Sequence, residues 1–181
     1  MRVITGIARG RKLREPEGSA IRPTTSMVKE ALFNIIQFDI EGRRVLDLFA
    51  GTGQLGIEAL SRGAASCDFV DSSKAAYQLV KSNLASSELR GGQVFQSDAV
   101  SFLSRSQRYD LIFFDPPYEL SNLDAIIEKI VQFDILNHHG IIACETKRET
   151  ILPEVAAPYQ KGKEYRYGKV KITLYTRGEQ A

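Results

Sequence analysis

Asp115-Pro116-Pro117-Tyr118 follows directly on the apolar, aromatic run 109–114 (YDLIFF). The two prolines fix the backbone and leave carbonyl acceptors without competing N–H donors. The tyrosine offers a flat face on which a base lifted out of its stack can rest. Such a set suits one chemistry well, the alkylation of an exocyclic amino group on a nucleic-acid base. That amine is a poor nucleophile because its lone pair is delocalised into the ring. Held by two acceptors, here the Asp115 carboxylate and the Pro116 carbonyl, its lone pair can be aimed at an activated methyl carbon. Positioning and electrostatics supply the acceleration, and neither a metal nor a covalent nucleophile is needed. A Pro-Pro pair alone usually marks a rigid turn. Its place after a hydrophobic strand, between Asp and Tyr, favours the chemical reading.

Upstream, Asp47-Leu48-Phe49-Ala50-Gly51-Thr52-Gly53-Gln54-Leu55-Gly56 marks a strand turning into a helix, and Asp71 stands some 20 residues on. The glycines allow a tight turn and close backbone approach to a ligand. A dinucleotide enzyme using NAD or FAD fits the same spacing. Asp47 separates the two readings, because a carboxylate there repels a pyrophosphate and suits the cationic amino-acid end of S-adenosylmethionine. Asp71 is expected to accept from the ribose hydroxyls, and Asp98 from the adenine amino group. Phe49, Gly51, Thr52, Gly53, Ser72 and Ala99 complete the expected cofactor contacts.

Around these groups, the elements that must position them alternate short β-branched runs with helical stretches, the pattern of a parallel sheet covered on both faces. Strands are predicted at 44–49, 66–70, 93–96, 109–114 and 140–144, and helices at 54–61, 73–86, 100–103 and 123–135. The two ends differ. Residues 2–15 read as a basic hairpin around Gly6 and Gly10, and a capped helix follows Pro23 and runs through Ile36. Residues 163–166 and 170–175 read as a closing hairpin around Gly168. The expected organisation is a basic N-terminal RNA-binding extension, 1–40, and a Rossmann-like catalytic domain, 41–181.

Apolar residues make up 43% and charged residues 25% of the chain, which excludes disordered and collagen-like classes. No stretch reaches the length of a membrane helix, and the first residues have no signal-peptide pattern. Cys67 and Cys144, the only cysteines, read as buried apolar residues rather than a disulfide or metal pair. The net charge of +2 hides an uneven distribution. Residues 1–30 carry seven basic against three acidic side chains, and residues 161–177 six against one. Basic ends around an acidic middle are the footprint of a gripped polyanion. Arg9, Arg11, Lys12, Arg22 and Thr24 are the candidate contacts to that polyanion. A cytoplasmic monomer without a metal is expected.

With these motifs in hand, the chain resembles the RsmD family of methyltransferases over nearly its whole length. The resemblance rests on Arg2-Val3-Ile4, Ala8-Arg9-Gly10-Arg11-Lys12-Leu13, Arg22-Pro23-Thr24, 28–34 (VKEALFN), 47–53 with Gly56 and Glu58-Ala59-Leu60, 115–118, and Tyr167-Gly168. It implies a seven-stranded, mostly parallel sheet with an antiparallel last strand. It also implies S-adenosylmethionine as cofactor and methylation of a guanine N2 in 16S ribosomal RNA, free or in the assembling small subunit. Asp115 and Tyr118 would then handle the guanine, and the basic arm the RNA. Asp71 stands where the family more often has Glu, Gln54 replaces a small residue, and Ser26 a frequent Asp. Rival readings are an adenine-N6 DNA or protein glutamine methyltransferase with the same tetrad, and an idle RNA-binding module.

Overall fold

The computed structural model describes residues 1–16, 26–105 and 107–179. Its elements are α1 (Ser26–Ile35), β1 (Arg44–Leu48), α2 (Gln54–Ser61), β2 (Ser66–Asp71), α3 (Lys74–Ser87), β3 (Gly92–Gln96), α4 (Ala99–Leu103), β4 (Tyr109–Phe114), α5 (Leu123–Gln132), β5 (Leu136–Lys147), β6 (Tyr159–Tyr167) and β7 (Val170–Arg177). The seven strands form one sheet in the order β3-β2-β1-β4-β5-β7-β6. The first five are mutually parallel, and β7 runs antiparallel to both β5 and β6. The expected mostly parallel α/β sheet with an antiparallel last strand is therefore present.

Alternation along each strand sends side chains to two separate cores. Val45, Phe69, Leu111, Phe113, Ala143 and Ile172 pack beneath α1, α2, α3 and the N-terminal segment. Leu46, Leu48, Ile112, Phe114, Ile142 and Cys144 pack on the other face with α4 and α5. Helix α2 is buried along its whole length. It reaches the sheet closely because Gly56 has no side chain: a Cβ there would lie 2.3 Å from the Phe69 ring and 2.5 Å from Cys67 Sγ. Both cysteines are free and buried.

The N-terminal segment differs from the expected hairpin in having one bridge, Arg2 to Lys12, rather than a ladder. Val3 N, Gly10 N and Leu13 N bond across the turn to Arg11 O, Val3 O and Met1 O, while the N–H groups of Ile4, Thr5 and Ala8 go to α2 instead. The Glu58 carboxylate accepts from Ile4 N at 2.7 Å and Thr5 N at 2.9 Å, and Ser61 Oγ accepts from Ala8 N at 3.0 Å. Val3, Ala8 and Leu13 join the same core as α1 and α2.

At the other end, α5 stops at Gln132 rather than 135, and β5 begins at Leu136 rather than 140. Asp134 and His139 adopt positive φ, and the β4–β5 register jumps from Tyr109↔Leu136 to Leu111↔Ile141. Ile135 and Leu136 are thus buried as strand entry, and residues 137–140 form a bulge opposite Asp110. The closing hairpin is longer than expected at both strands.

Candidate active site

The carboxyl ends of β1, β2, β4 and β5 lie on one edge of the sheet, around the point where strand order reverses between β1 and β4. Sheets of this kind bind ligands there. A cavity of about 1120 Å³ opens at this edge. The β1 tip contributes Asp47 and the loop Phe49, Gly51 and Thr52 to its lining; the β2 tip contributes Asp71 and Ser72. Asp115, Pro116, Pro117 and Tyr118 line it from beyond β4, and Glu145 from β5. Gly53 starts α2 with φ +76°, and a Cβ there would press on Val80 at 3.1 Å. Phe49 also takes a positive φ, 70°, unusual for an aromatic residue and a local strain at the strand tip. Its ring meets Phe114 edge-on at 5.6 Å.

Asp47 shares the α2 side of the sheet with Val45, is 1% exposed, and accepts a hydrogen bond from Gly56 N at 2.9 Å. Burial pushes its carboxyl up to about 8, reinforced by the charges of Asp115 and Asp71 and opposed by the Gly56 bond. A buried acid that faces a cavity and neighbours two further acids fits an ammonium-bearing ligand. Asp71 accepts from Gly51 N at 3.0 Å and Ser73 N at 2.9 Å, which ties the glycine loop to the start of α3.

The raised pKa has a consequence for stability. Between about pH 4 and pH 8 the folded protein holds a proton on Asp47 that the unfolded chain has lost, so stability falls as pH rises through that window. Asp47→Asn keeps a carbonyl for Gly56 N–H and abolishes the titration. Urea unfolding of the ligand-free proteins should show wild type losing stability relative to Asp47→Asn from pH 5 to pH 8. Parallel curves would mean that Asp47 is ionised when folded.

The structure thus brings Asp47, Phe49, Gly51, Thr52, Asp71, Ser72 and the tetrad 115–118 around one cavity. Gly53 sits just behind the lining. Asp98 and Ala99 are not part of it: Asp98 is exposed and caps α4, accepting from Ser101 N at 3.0 Å. Its carboxyl is held below the ordinary carboxylate range by its Ser101 hydrogen bonds. Arg9 and Lys12 are exposed on the arm. Arg11 bonds Ser86 O at 3.2 Å and Glu88 at 2.7 Å, at the end of α3. Arg22 and Thr24 lie outside the described residues.

Sequence reasoning missed Asn83 and Glu145. Asn83 is fully buried and binds Arg14 through both backbone groups and Thr52 O at 2.9 Å, joining arm, glycine loop and α3. Nothing in its helical context marks it. Glu145 has a usable signal, one residue past the predicted strand 140–144 on the edge where ligands bind. Among the described residues no cluster of three or more His, Cys, Asp or Glu is arranged to hold a metal ion, and no helix is long and apolar enough to cross a membrane.

Comparison with known proteins agrees with this fold. The family described as "Conserved hypothetical protein 95" matches residues 1–176. The Bacillus subtilis (strain 168) protein YlbH is 42% identical, over 97% of this chain and 98% of its own. "Ribosomal RNA small subunit methyltransferase D" of Escherichia coli (strain K12) is 36% identical, over 99% of this chain and 91% of its own. Among solved structures, that of the Escherichia coli protein yhhF superposes with a TM-score of 0.89 at 37% identity, covering 99% of both chains. The chain belongs to this family, the RsmD family that its motifs resemble.

Proposed function

We propose that this chain is a ribosomal RNA methyltransferase that uses S-adenosylmethionine to methylate the exocyclic N2 amino group of a guanine in 16S ribosomal RNA. The observation that carries the reading is the convergence of Asp47, Asp71 and the tetrad 115–118 on one cavity at the sheet's carboxyl edge. Asp47 would hold the cofactor's ammonium end, Asp71 its ribose, and the loop 49–53 its backbone-facing side. When bound, the cofactor supplies a methyl group on a sulfonium, activated toward attack. Asp115 and the Pro116 carbonyl hold the two N–H hydrogens of the amine, and Asp115 takes the proton the nitrogen sheds on alkylation. Tyr118 stacks on the base with one face of its ring; Lys147 Nζ lies over the ring, 5.5 Å from its centroid. The relatives' names and the basic arm favour ribosomal RNA over DNA or a protein glutamine.

The arm, 1–40, would grip RNA phosphates while 41–181 carries the chemistry, as a monomer in the cytoplasm. Replacing Arg9 and Arg11 by Ala should weaken RNA binding about tenfold at low salt. It should also flatten the slope of log affinity against log salt by about 1.4–1.8, since each phosphate that goes unneutralised removes about 0.7–0.9. Cofactor affinity should not change. Filter binding across a salt series reads both. The proposed activity is tested by incubating the protein with labelled S-adenosylmethionine and small subunits from cells lacking it. Digestion to nucleosides should place the label in N2-methylguanosine, and label in any other nucleoside contradicts the assignment.

A further inference from the structure

Three carboxylates share the α2 side of the sheet at its ligand-binding edge. The register pairs Phe114 of β4 with Cys144 of β5, so Asp115 and Glu145 each follow one residue after a pair of neighbours. Strands so paired lie about 4.8 Å apart. Glu145 has the parity of Ala143, and Asp115 continues that of Phe113; both reference residues pack beneath α1–α3. Glu145 is 5% exposed and lines the same cavity as the tetrad. A second buried acidic side chain thus lies on the strand beside the amine-holding acid and faces the same cavity.

The bases that bear exocyclic amines differ in the ring nitrogen beside that amine. Guanine carries a proton on N1. Adenine and cytosine present a lone pair at the equivalent position. If Asp115 and Pro116 hold both hydrogens of the amine, guanine still has one donor, N1–H, which loses its water on entering the cavity and needs an acceptor. A neighbouring carboxylate meets that need for guanine and repels the ring lone pair of adenine or cytosine.

We propose that Glu145 is the specificity-determining residue of the site, accepting the N1–H of guanine beside the amine held by Asp115. This inference rests on the base-methylation reading above and gives it a physical basis for base choice.

The test uses the full-length protein, S-adenosylmethionine and a small-subunit RNA fragment spanning the methylated nucleotide. That nucleotide is made either as guanine or as 2-aminopurine, which keeps the N2 amine and replaces N1–H by a lone pair. Wild type should methylate guanine with kcat/KM about 100-fold above 2-aminopurine, the range of a charged hydrogen bond. Glu145→Gln, whose amide can turn to offer a donor or an acceptor, should lower guanine kcat/KM at least about tenfold. It should also shrink the guanine to 2-aminopurine ratio at least about tenfold. The change in ratio isolates the Glu145–N1 coupling from loss of O6, which is common to both enzymes. S-adenosylhomocysteine affinity, measured on the same preparations, should be unchanged.

Equal rates on the two RNAs by wild type overturn the inference without any variant. A large wild-type ratio that persists in Glu145→Gln assigns the reading of N1–H to another group and overturns it too. In both cases transfer to guanine N2 leaves the proposed function standing. Failure of wild type to label any base amine removes both.

Discussion

Asp115→Ala should lower methyl transfer by at least about 10³-fold, while S-adenosylhomocysteine binds no more weakly than to wild type. Removing one preorganised electrostatic partner of a reacting group costs about 10² to 10³ in rate, and in the proposed mechanism the same carboxylate also aims the nucleophile. Every tenfold corresponds to about 1.36 kcal/mol of barrier. Asp115→Asn should fall less, because its carbonyl still accepts one N–H. The separation of rate from affinity follows from position: Asp115 stands beyond β4, whereas the groups assigned to the cofactor stand at β1 and β2. The charge of Asp115 also helps to raise the Asp47 carboxyl, so its removal makes Asp47 easier to ionise. Single-turnover rates with titration calorimetry measure both quantities. Equal losses in rate and in cofactor affinity would assign Asp115 to cofactor binding instead.

Glu58→Ala should be the most destabilising single truncation where the arm meets α2, by about 3–5 kcal/mol, the range for removing one partner of a buried ion pair. Glu58 is fully buried; it accepts from two arm N–H groups and from Arg62 Nε at 2.9 Å, and pairs with Lys29 Nζ at 3.5 Å. Lys29 is 2% exposed and also donates to Arg2 O at 2.9 Å. Burial already pulls the Lys29 ammonium below its ordinary range, and Glu58 is the main influence opposing that. Truncation leaves that cation without its counter-charge and two backbone donors without acceptors. For a chain of this size the expected fall in Tm is about 6–20 °C. Amide exchange at Ile4 and Thr5 should accelerate before global unfolding. A Tm within about 2 °C of wild type, less than 1 kcal/mol would produce, would show that the Glu58 bonds contribute little to holding the arm.

Much of this is legible in the sequence where chemistry and backbone constraint coincide. Helix α2 reads with its observed bounds because the glycine loop fixes its start and Gly63 its end. The tetrad and Asp47 are legible because each is read in combination, the prolines between Asp and Tyr after a hydrophobic strand and Asp47 at the start of a glycine loop, on the edge where such sheets bind ligands. The β5 boundary is not, because a bulge with positive φ at His139 interrupts the period-2 pattern that a strand otherwise shows. The arm misleads for a different reason: its N–H groups bond side chains some 53 residues away, Glu58 and Ser61, which local pattern cannot reveal. Asp98 reads as a ligand-binding acid by analogy with Asp47 and Asp71. Its Oδ1 caps α4 by accepting from Ser101 N, a common use of Asp, and the residue lies outside the cavity lining. Glu145 escapes notice because it follows the apolar run by which its strand is recognised.

A crystal structure with S-adenosylhomocysteine would show whether the Asp115 carboxylate, at the tip of β4, stands beside the reacting methyl group. The account predicts the ligand's amino-acid end against Asp47, its ribose at Asp71, and its sulfur facing the 115–118 turn with room for a base between sulfur and Tyr118. A ligand seated elsewhere, or a sulfur turned away from Asp115, would contradict it.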